Sequence, residues 1–383
     1  MKLKQSPNDF KVEEIIKFNV LNSGNYRLYL LEKTGLEGFF ILSYLAKKNN
    51  IPVNCFGIAG LKDKHAVTKQ YFTIPNKYEI KTLNEKGFKI KFAGFVEKEI
   101  RLGDLEGNKF EIIVRDIKKG EFDGVYQKAK TLSEIGVPNY FDSQRFGSVF
   151  DKEFIAKDVI NKNYEKAVKI FLTKYSKFEK RKLKDEKREI EKNWNNLSKL
   201  KIKNKVFSLI INEYLRSKDW LKTYKKIPEN LREMYVSAYQ SYLWNECIKE
   251  ALRRKINKKY LYSVEYALGS LLFYKRVNNE ILETFKTISD EIKANEFENG
   301  IINKILEREG IKIDEFKIKR ETGDFFKTHE RKVIVKPENF KISEPLIDEL
   351  NDKGKKNIFK IKIEFDLTKG SYATIITKRL FNK

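Results

Sequence analysis

Asp63 stands between two lysines in the run Gly57-Ile58-Ala59-Gly60-Leu61-Lys62-Asp63-Lys64-His65. A carboxylate flanked by ammonium groups stays ionised near neutral pH, where it can act as a nucleophile or a base. The two glycines ahead of it predict a tight turn. The apolar, β-branched run Tyr71-Phe72-Thr73-Ile74 predicts a strand after it. Asp63 is therefore expected on a loop at a sheet edge, although Lys-Asp-Lys also suits a solvated turn with no chemistry. A second chemical stretch is Asn139-Tyr140-Phe141-Asp142-Ser143-Gln144-Arg145-Phe146-Gly147. Aromatics, two amide side chains and Arg145 form an inventory for stacking and hydrogen-bonding an unpaired base. The same aromatics would serve equally as core.

The elements that position these residues follow from periodicity. Phe10, Val12 and Glu14 share one face of a predicted strand, and a second strand covers Tyr26 to Glu32. Thr34-Gly35-Leu36-Glu37 fits a capping box opening a helix that carries Phe39, Phe40, Leu42, Leu45 and Ala46. Phe88-Lys89-Ile90-Lys91-Phe92 alternates as a half-buried strand, and Phe110 to Val114 reads as a buried one. Val125, Ala129 and Leu132 mark a helix stopped by Gly136 and Pro138. Beyond residue 151 the pattern becomes helical and rich in lysine and glutamate, with Lys177 to Lys201 reading as a solvated face. An amphipathic helix carries Leu231, Met234, Ala238, Leu243 and Cys247, and residues 258–330 mix short strands with two helical stretches. Phe359, Ile361, Ile363 and Phe365 alternate, and Gly370-Ser371 is expected to turn the chain into a last strand over Tyr372 to Ile376.

Composition narrows the partners. The 383 residues carry 79 Lys+Arg against 54 Asp+Glu, a formal charge of +25, with 13% aromatic residues. Such an excess points to a polyanion, and rings within a basic chain favour nucleic acid over a membrane surface. Part of the lysine and glutamate content also fits a thermophilic source. No apolar stretch is long enough to span a bilayer and no secretory signal opens the chain, so a cytoplasmic location is expected. With only Cys55 and Cys247, and only His65 and His329, neither a disulfide framework nor a cysteine-rich zinc site is expected.

Several blocks in order resemble the TruD family of tRNA pseudouridine synthases, in its archaeal type. They are Phe10-x-Val12-x-Glu14; Gly60-x-Lys62-Asp63-x-x-Ala66-x-Thr68-x-Gln70; Leu102-Gly103-Asp104-Leu105-x-Gly107-Asn108-x-Phe110; Gly136 to Gly147; and Gly370-Ser371-Tyr372-Ala373-Thr374. The stretch Ala238 to Asn245 is also similar to the family's. The resemblance implies an α+β fold: a split catalytic domain around a mixed or antiparallel sheet, formed by 1–150 and 334–383. Residues 151–333 would be an inserted α/β TRUD domain. It implies isomerisation of uridine 13 in the D-arm of tRNA, with Asp63 as the catalytic carboxylate. Phe141 matches the ring that stacks on the base and Asn139 a position that orients the aspartate. Lys4, Phe10, Glu14 and Tyr372 fall where the family lines its pocket, and we read Lys62, Lys64 and Arg145 as RNA contacts. Asp142 departs from the family's glycine and adds a negative charge to that loop.

The reaction implied breaks C1′–N1, turns the uracil and joins C1′ to C5 without net redox change. It requires no metal or other cofactor, and tRNA is the one partner expected, with no membrane and no obligatory protein partner. Asp63 could attack C1′ or remove a ribose proton. A non-catalytic basic RNA-binding protein acting on tRNA would share the charge and the aromatics without requiring Asp63. A nuclease would want clustered carboxylates or a general-base histidine, and a methyltransferase a glycine-rich strand-to-helix turn; neither arrangement is found.

Overall fold

In the computed structural model, which describes all residues except 17, 178, 278–280, 356 and 383, alternation in the N-terminal third builds a large mixed sheet. Its strands include β1 (Phe10–Ile15), β2 (Tyr26–Thr34), β3 (Gly57–Ile58), β4 (Val67–Pro75), β5 (Leu83–Glu85), β6 (Phe88–Val96) and β7 (Gly107–Lys118). The strands Glu338–Ile342, Leu346–Ile347 and Ile358–Thr368 complete ten. The last of these pairs antiparallel with β7, so residues far apart in sequence share one sheet. β7 pairs antiparallel with β1, whereas β1 and β4 run parallel. β4 is thus a central strand between β1 and β2, and the loop bearing Asp63 leads into the middle of the sheet rather than to its edge.

Helix α1 (Gly38–Asn49) covers one face of β2, β4 and β6. Ile41, Leu42 and Leu45 pack there with Tyr29, Leu31, Phe72 and Ile90, all buried. Each such side chain contributes roughly 1.5–3 kcal/mol by leaving water. Phe39 and Phe40 remain exposed on the outer face. The expected capping box is absent, because Thr34 still belongs to β2 and pairs with Val67; Glu37 is the residue at the cap, without a side-chain hydrogen bond. Helix α2 (Phe122–Ile135) buries Val125, Ala129 and Leu132 as its spacing predicts.

Tyr372 to Ile376 is not a strand. After Gly370, held at φ 80°, the chain forms the helix Ala373–Phe381, which buries Ile375, Ile376, Leu380 and Phe381. The run is short and apolar on both sides, a pattern that periodicity alone assigns to either element.

The described residues divide into two compact units, Met1–Val137 with Val335–Lys383, and Pro138–Ile334. The first break thus lies ahead of residue 150. Tyr140 donates to the Leu272 carbonyl at 2.8 Å, and Asn245 brackets the Phe141 backbone, tying this loop into the second unit. That unit is built on the helix Glu229–Lys255, whose Leu243, Trp244, Cys247, Ile248 and Ala251 are fully buried. The helix Glu296–Glu309 lies beside it, joined by Arg308–Glu246 and Lys304–Glu250 ion pairs.

Candidate active site

Asp63 sits in the loop between β3 and β4. Gly57 lets that loop begin close to the sheet: a Cβ there would stand 2.4 Å from the Ile100 carbonyl oxygen. The chain bends at Ala59 between the two glycines, but neither Gly57 nor Gly60 has a positive φ, and Gly57 is required for close approach. The Asp63 carboxylate is ion-paired with Lys4, and its Oδ1 accepts the His65 backbone N–H at 2.9 Å. Burial pushes the Asp63 carboxyl up, but Lys4 and the His65 N–H together hold it below the usual carboxylate range. The group is therefore an anion near neutral pH, half-buried and fixed in direction.

Lys4 reaches Asp63 from a pinned N-terminal segment. Lys2 and Arg115 exchange backbone hydrogen bonds of 2.8 and 3.0 Å. The Arg115 side chain donates to Asp9 at 2.9 Å, Asp348 at 2.7 Å and Glu349 at 3.1 Å. The segment is thus held on both sides of Lys4. Phe10 and Glu14 lie on the buried face of β1 as alternation predicts. The Phe10 ring lies 4.1 Å from the Lys4 ammonium, and packs edge-on against Phe110.

Glu14 accepts the Tyr71 N–H at 2.8 Å and pairs with Lys62 at 2.7 Å. Lys62 is 9% exposed and turned inward to Glu14, so of the two lysines flanking Asp63 it is Lys64 that faces solvent. Tyr372 is the N-cap residue of the C-terminal helix in the same unit.

In the second unit, Asn139 is buried and donates to the Lys332 carbonyl at 3.2 Å. Asn245, on the long helix, accepts the Phe141 N–H at 2.9 Å and donates to the Phe141 carbonyl at 2.8 Å. An amide side chain thus completes the backbone pairing that a neighbouring strand would supply. Asp142 caps the following turn by accepting the Ser143 N–H at 2.7 Å. Arg145 bonds Ser237 and Ser241, and its guanidinium lies 5.7 Å from the Phe141 ring. A cleft of about 370 Å³ within this unit is lined by Phe141, Arg145, Gln240, Lys327, His329 and Arg331, among others.

Three residues here escape sequence reasoning. Arg331 donates to the Asn139 carbonyl at 2.6 and 3.0 Å and to its Oδ1 at 2.9 Å, while stacking 4.1 Å over Phe141. Arg115 and Lys33 are likewise internal; Lys33 donates to the Asp63 carbonyl at 2.8 Å. A lone cation in a strand reads as solvent-facing, and only the chain packed over it reveals otherwise. Among the described residues no group of three or more His, Cys, Asp or Glu side chains is placed to hold a metal ion, and no helix is long and apolar enough to cross a membrane.

Comparison with known proteins bears on the whole chain. Residues 1–269 and 274–380 match the family model for tRNA pseudouridine synthase D (TruD). The chain is 46% identical to "Probable tRNA pseudouridine synthase D 2" of Methanocaldococcus jannaschii, covering 100% of this chain and 92% of that protein. It is 42% identical, over 100% of both, to "Probable tRNA pseudouridine synthase D 1" of Methanococcus maripaludis. With "tRNA pseudouridine synthase D" of Aquifex aeolicus it shares 31% identity over 100% of this chain and 98% of the other. The fold matches the crystal structure of a Methanosarcina mazei chain assigned to TruD, with a TM-score of 0.72, 24% identity, and coverage of 100% and 93%. The chain belongs to the TruD family of tRNA pseudouridine synthases, isomerases that convert uridine to pseudouridine.

Proposed function

We propose that this protein isomerises uridine 13 in the D-arm of tRNA, with Asp63 as the group that starts glycosidic cleavage. The observation carrying this reading is the Asp63 carboxylate, kept anionic by Lys4 and held in direction by the His65 N–H. An oriented anion can add to C1′ as N1 leaves with the bonding electrons, or take a ribose proton as the same bond breaks. The detached uracil then turns and C5 bonds to C1′, displacing the Asp63 carboxylate by the first route or with return of the ribose proton from Asp63 by the second. The C5 hydrogen departs as a proton and N1 takes one up, so atoms and charge balance by either route.

The target uridine must leave its stack, and an aromatic ring offsets part of that loss, about 1–3 kcal/mol. We assign that contact to Phe141 from its place in the family block. Asn139 is buried and bonded within its own unit, which supports a structural part in holding the Phe141 loop. Lys62 pairs with Glu14 inside the protein, so phosphate contact falls to Lys64 and to other exposed cations of the +25 chain. A cytoplasmic location fits an enzyme of tRNA.

The test is incubation of unmodified tRNA transcripts with the purified protein, followed by mapping of pseudouridine at single-nucleotide resolution. Modification at uridine 13 alone is expected. Modification confined to another position would overturn the site assignment.

A further inference from the structure

Lys33 is 1% exposed, among the largest fully buried side chains of the protein. It lies on β2 directly opposite Thr68 of β4 and Phe88 of β6. Leu31, two residues earlier, pairs with Gln70 and packs in the apolar core under α1. Lys33, Thr68 and Gln70 therefore extend that covered face towards the Asp63 loop, replacing an apolar surface with a polar one. The Lys33 ammonium donates to the Asp63 backbone carbonyl at 2.8 Å. Thr68 Oγ1 and Gln70 Oε1 are buried beside this pair with no hydrogen-bond partner among the described residues. Neither is placed to explain a buried cation by neutralising it.

A buried ammonium is costly, and a methionine of similar length would fill the site without desolvating a charge. The fold alone does not call for a lysine here. What it supplies is a fixed donor under the peptide of Asp63, the same residue whose carboxylate Lys4 and His65 hold. Burial lowers the Lys33 pKa while the Asp63 charge raises it, so the two groups sense each other.

We propose that Lys33 is a positioning residue for isomerisation: it pins the Asp63 peptide from beneath and thereby aims the carboxylate. The inference rests on the reading of Asp63 as the reacting group. Lys33 touches neither base nor ribose in this scheme, and acts only through Asp63.

The experiment compares parent, Lys33→Met, Lys33→Gln and Asp63→Asn, using full-length protein and tRNA tritiated at uracil C5. Release of that tritium reports the C5–C1′ bond directly, and a filter-binding titration on the same preparations reports affinity. Lys33→Met is expected to lower the single-turnover rate about 10- to 100-fold, the effect of misplacing a reacting group by about 1 Å. Its tRNA affinity should stay within about twofold of the parent and its melting temperature should not fall. Lys33→Gln, which keeps an N–H donor, should recover part of the rate. A parental rate in Lys33→Met overturns the proposal. So does a loss that merely tracks a lost folded fraction, since Lys33 then serves the fold alone. Should Asp63→Asn keep its activity, the reading of Asp63 fails first; should it be inactive while Lys33→Met is parental, only the role of Lys33 fails.

Discussion

Lys4 pairs with Asp63 from a backbone in the left-handed region, at φ 54°, a conformation uncommon for a residue with a side chain and held here by its surroundings. The bond to Asp63 on one side and the Lys2–Arg115 pairing on the other supply that hold. Lys4 is thus the counter-charge of the carboxylate and, with the His65 N–H, a cause of its acidity. Lys4→Met leaves the His65 N–H as the main group opposing burial, and burial raises the Asp63 pKa. We expect the acid limb of the single-turnover rate to move up by about 1–2 pH units, as removal of a close opposite charge does. A pH–rate profile of the parent and the variant checks this. Superimposable profiles would show that Lys4 does not set the ionisation of Asp63.

The Arg115 cluster predicts how stability depends on pH. Asp348 and Glu349 are held below the usual carboxylate range, Glu349 to about 2, chiefly by hydrogen bonds from Arg115, Lys360 and Asn351 acting against burial. Their unfolded values lie near 4, so their contribution is fully present above about pH 5. It fades as pH falls from there through the folded values. Arg115→Met leaves the fully buried side chains of Asp9 and Asp348 without their counter-charge and should destabilise the protein by about 3–5 kcal/mol near neutral pH. The gap between parent and variant should narrow on acidification, as the Asp348 and Glu349 carboxyls protonate. Urea midpoints at several pH values measure it, and a gap independent of pH would contradict the assignment.

For Phe141 the expected signature is a split between turnover and affinity. Phe141→Ala should cut the single-turnover rate about 10- to 100-fold, because one stacking contact of about 1–3 kcal/mol is lost where the base reacts. Overall tRNA affinity, carried by many phosphate contacts, should change only a few-fold. Equal losses in both would return the ring to a packing role beside Trp244 and Arg331.

How far the sequence could carry these conclusions varies along the chain. Alternation at Phe359 to Phe365 was legible because that strand has one covered face, whereas at Phe88 to Phe92 the strand formed but the alternation did not hold, since Phe92 is exposed beside Lys91. The Asp63 and Asn139 stretches stood out as chemistry because charge, amides and rings crowd into short loops. Ile375 and Ile376 misled, since their β-branched run is buried by a helix instead. Lys33 and Lys62 were illegible in a different way. A lysine next to apolar residues reads as solvated, and only long-range pairing, with Asp63 and Glu14, buries it.

Salt should dominate binding. With a formal charge of +25, tRNA affinity is expected to fall by roughly one decade for every two phosphate contacts as salt rises fourfold. A titration of affinity from low to physiological salt gives the slope. A flat response would rule out a surface that tracks the RNA backbone.

The central claim is that Asp63 supplies the carboxylate that breaks the glycosidic bond, and Asp63→Asn tests it most directly. The amide keeps the size of the side chain but removes the charge and the nucleophile. The variant should fold, and should bind tRNA at least as well as the parent, since one charge repelling phosphate is gone. Single-turnover pseudouridine formation should fall below detection on the same preparation that binds. Isomerisation at the parental rate by a folded, tRNA-binding Asp63→Asn protein would contradict the account.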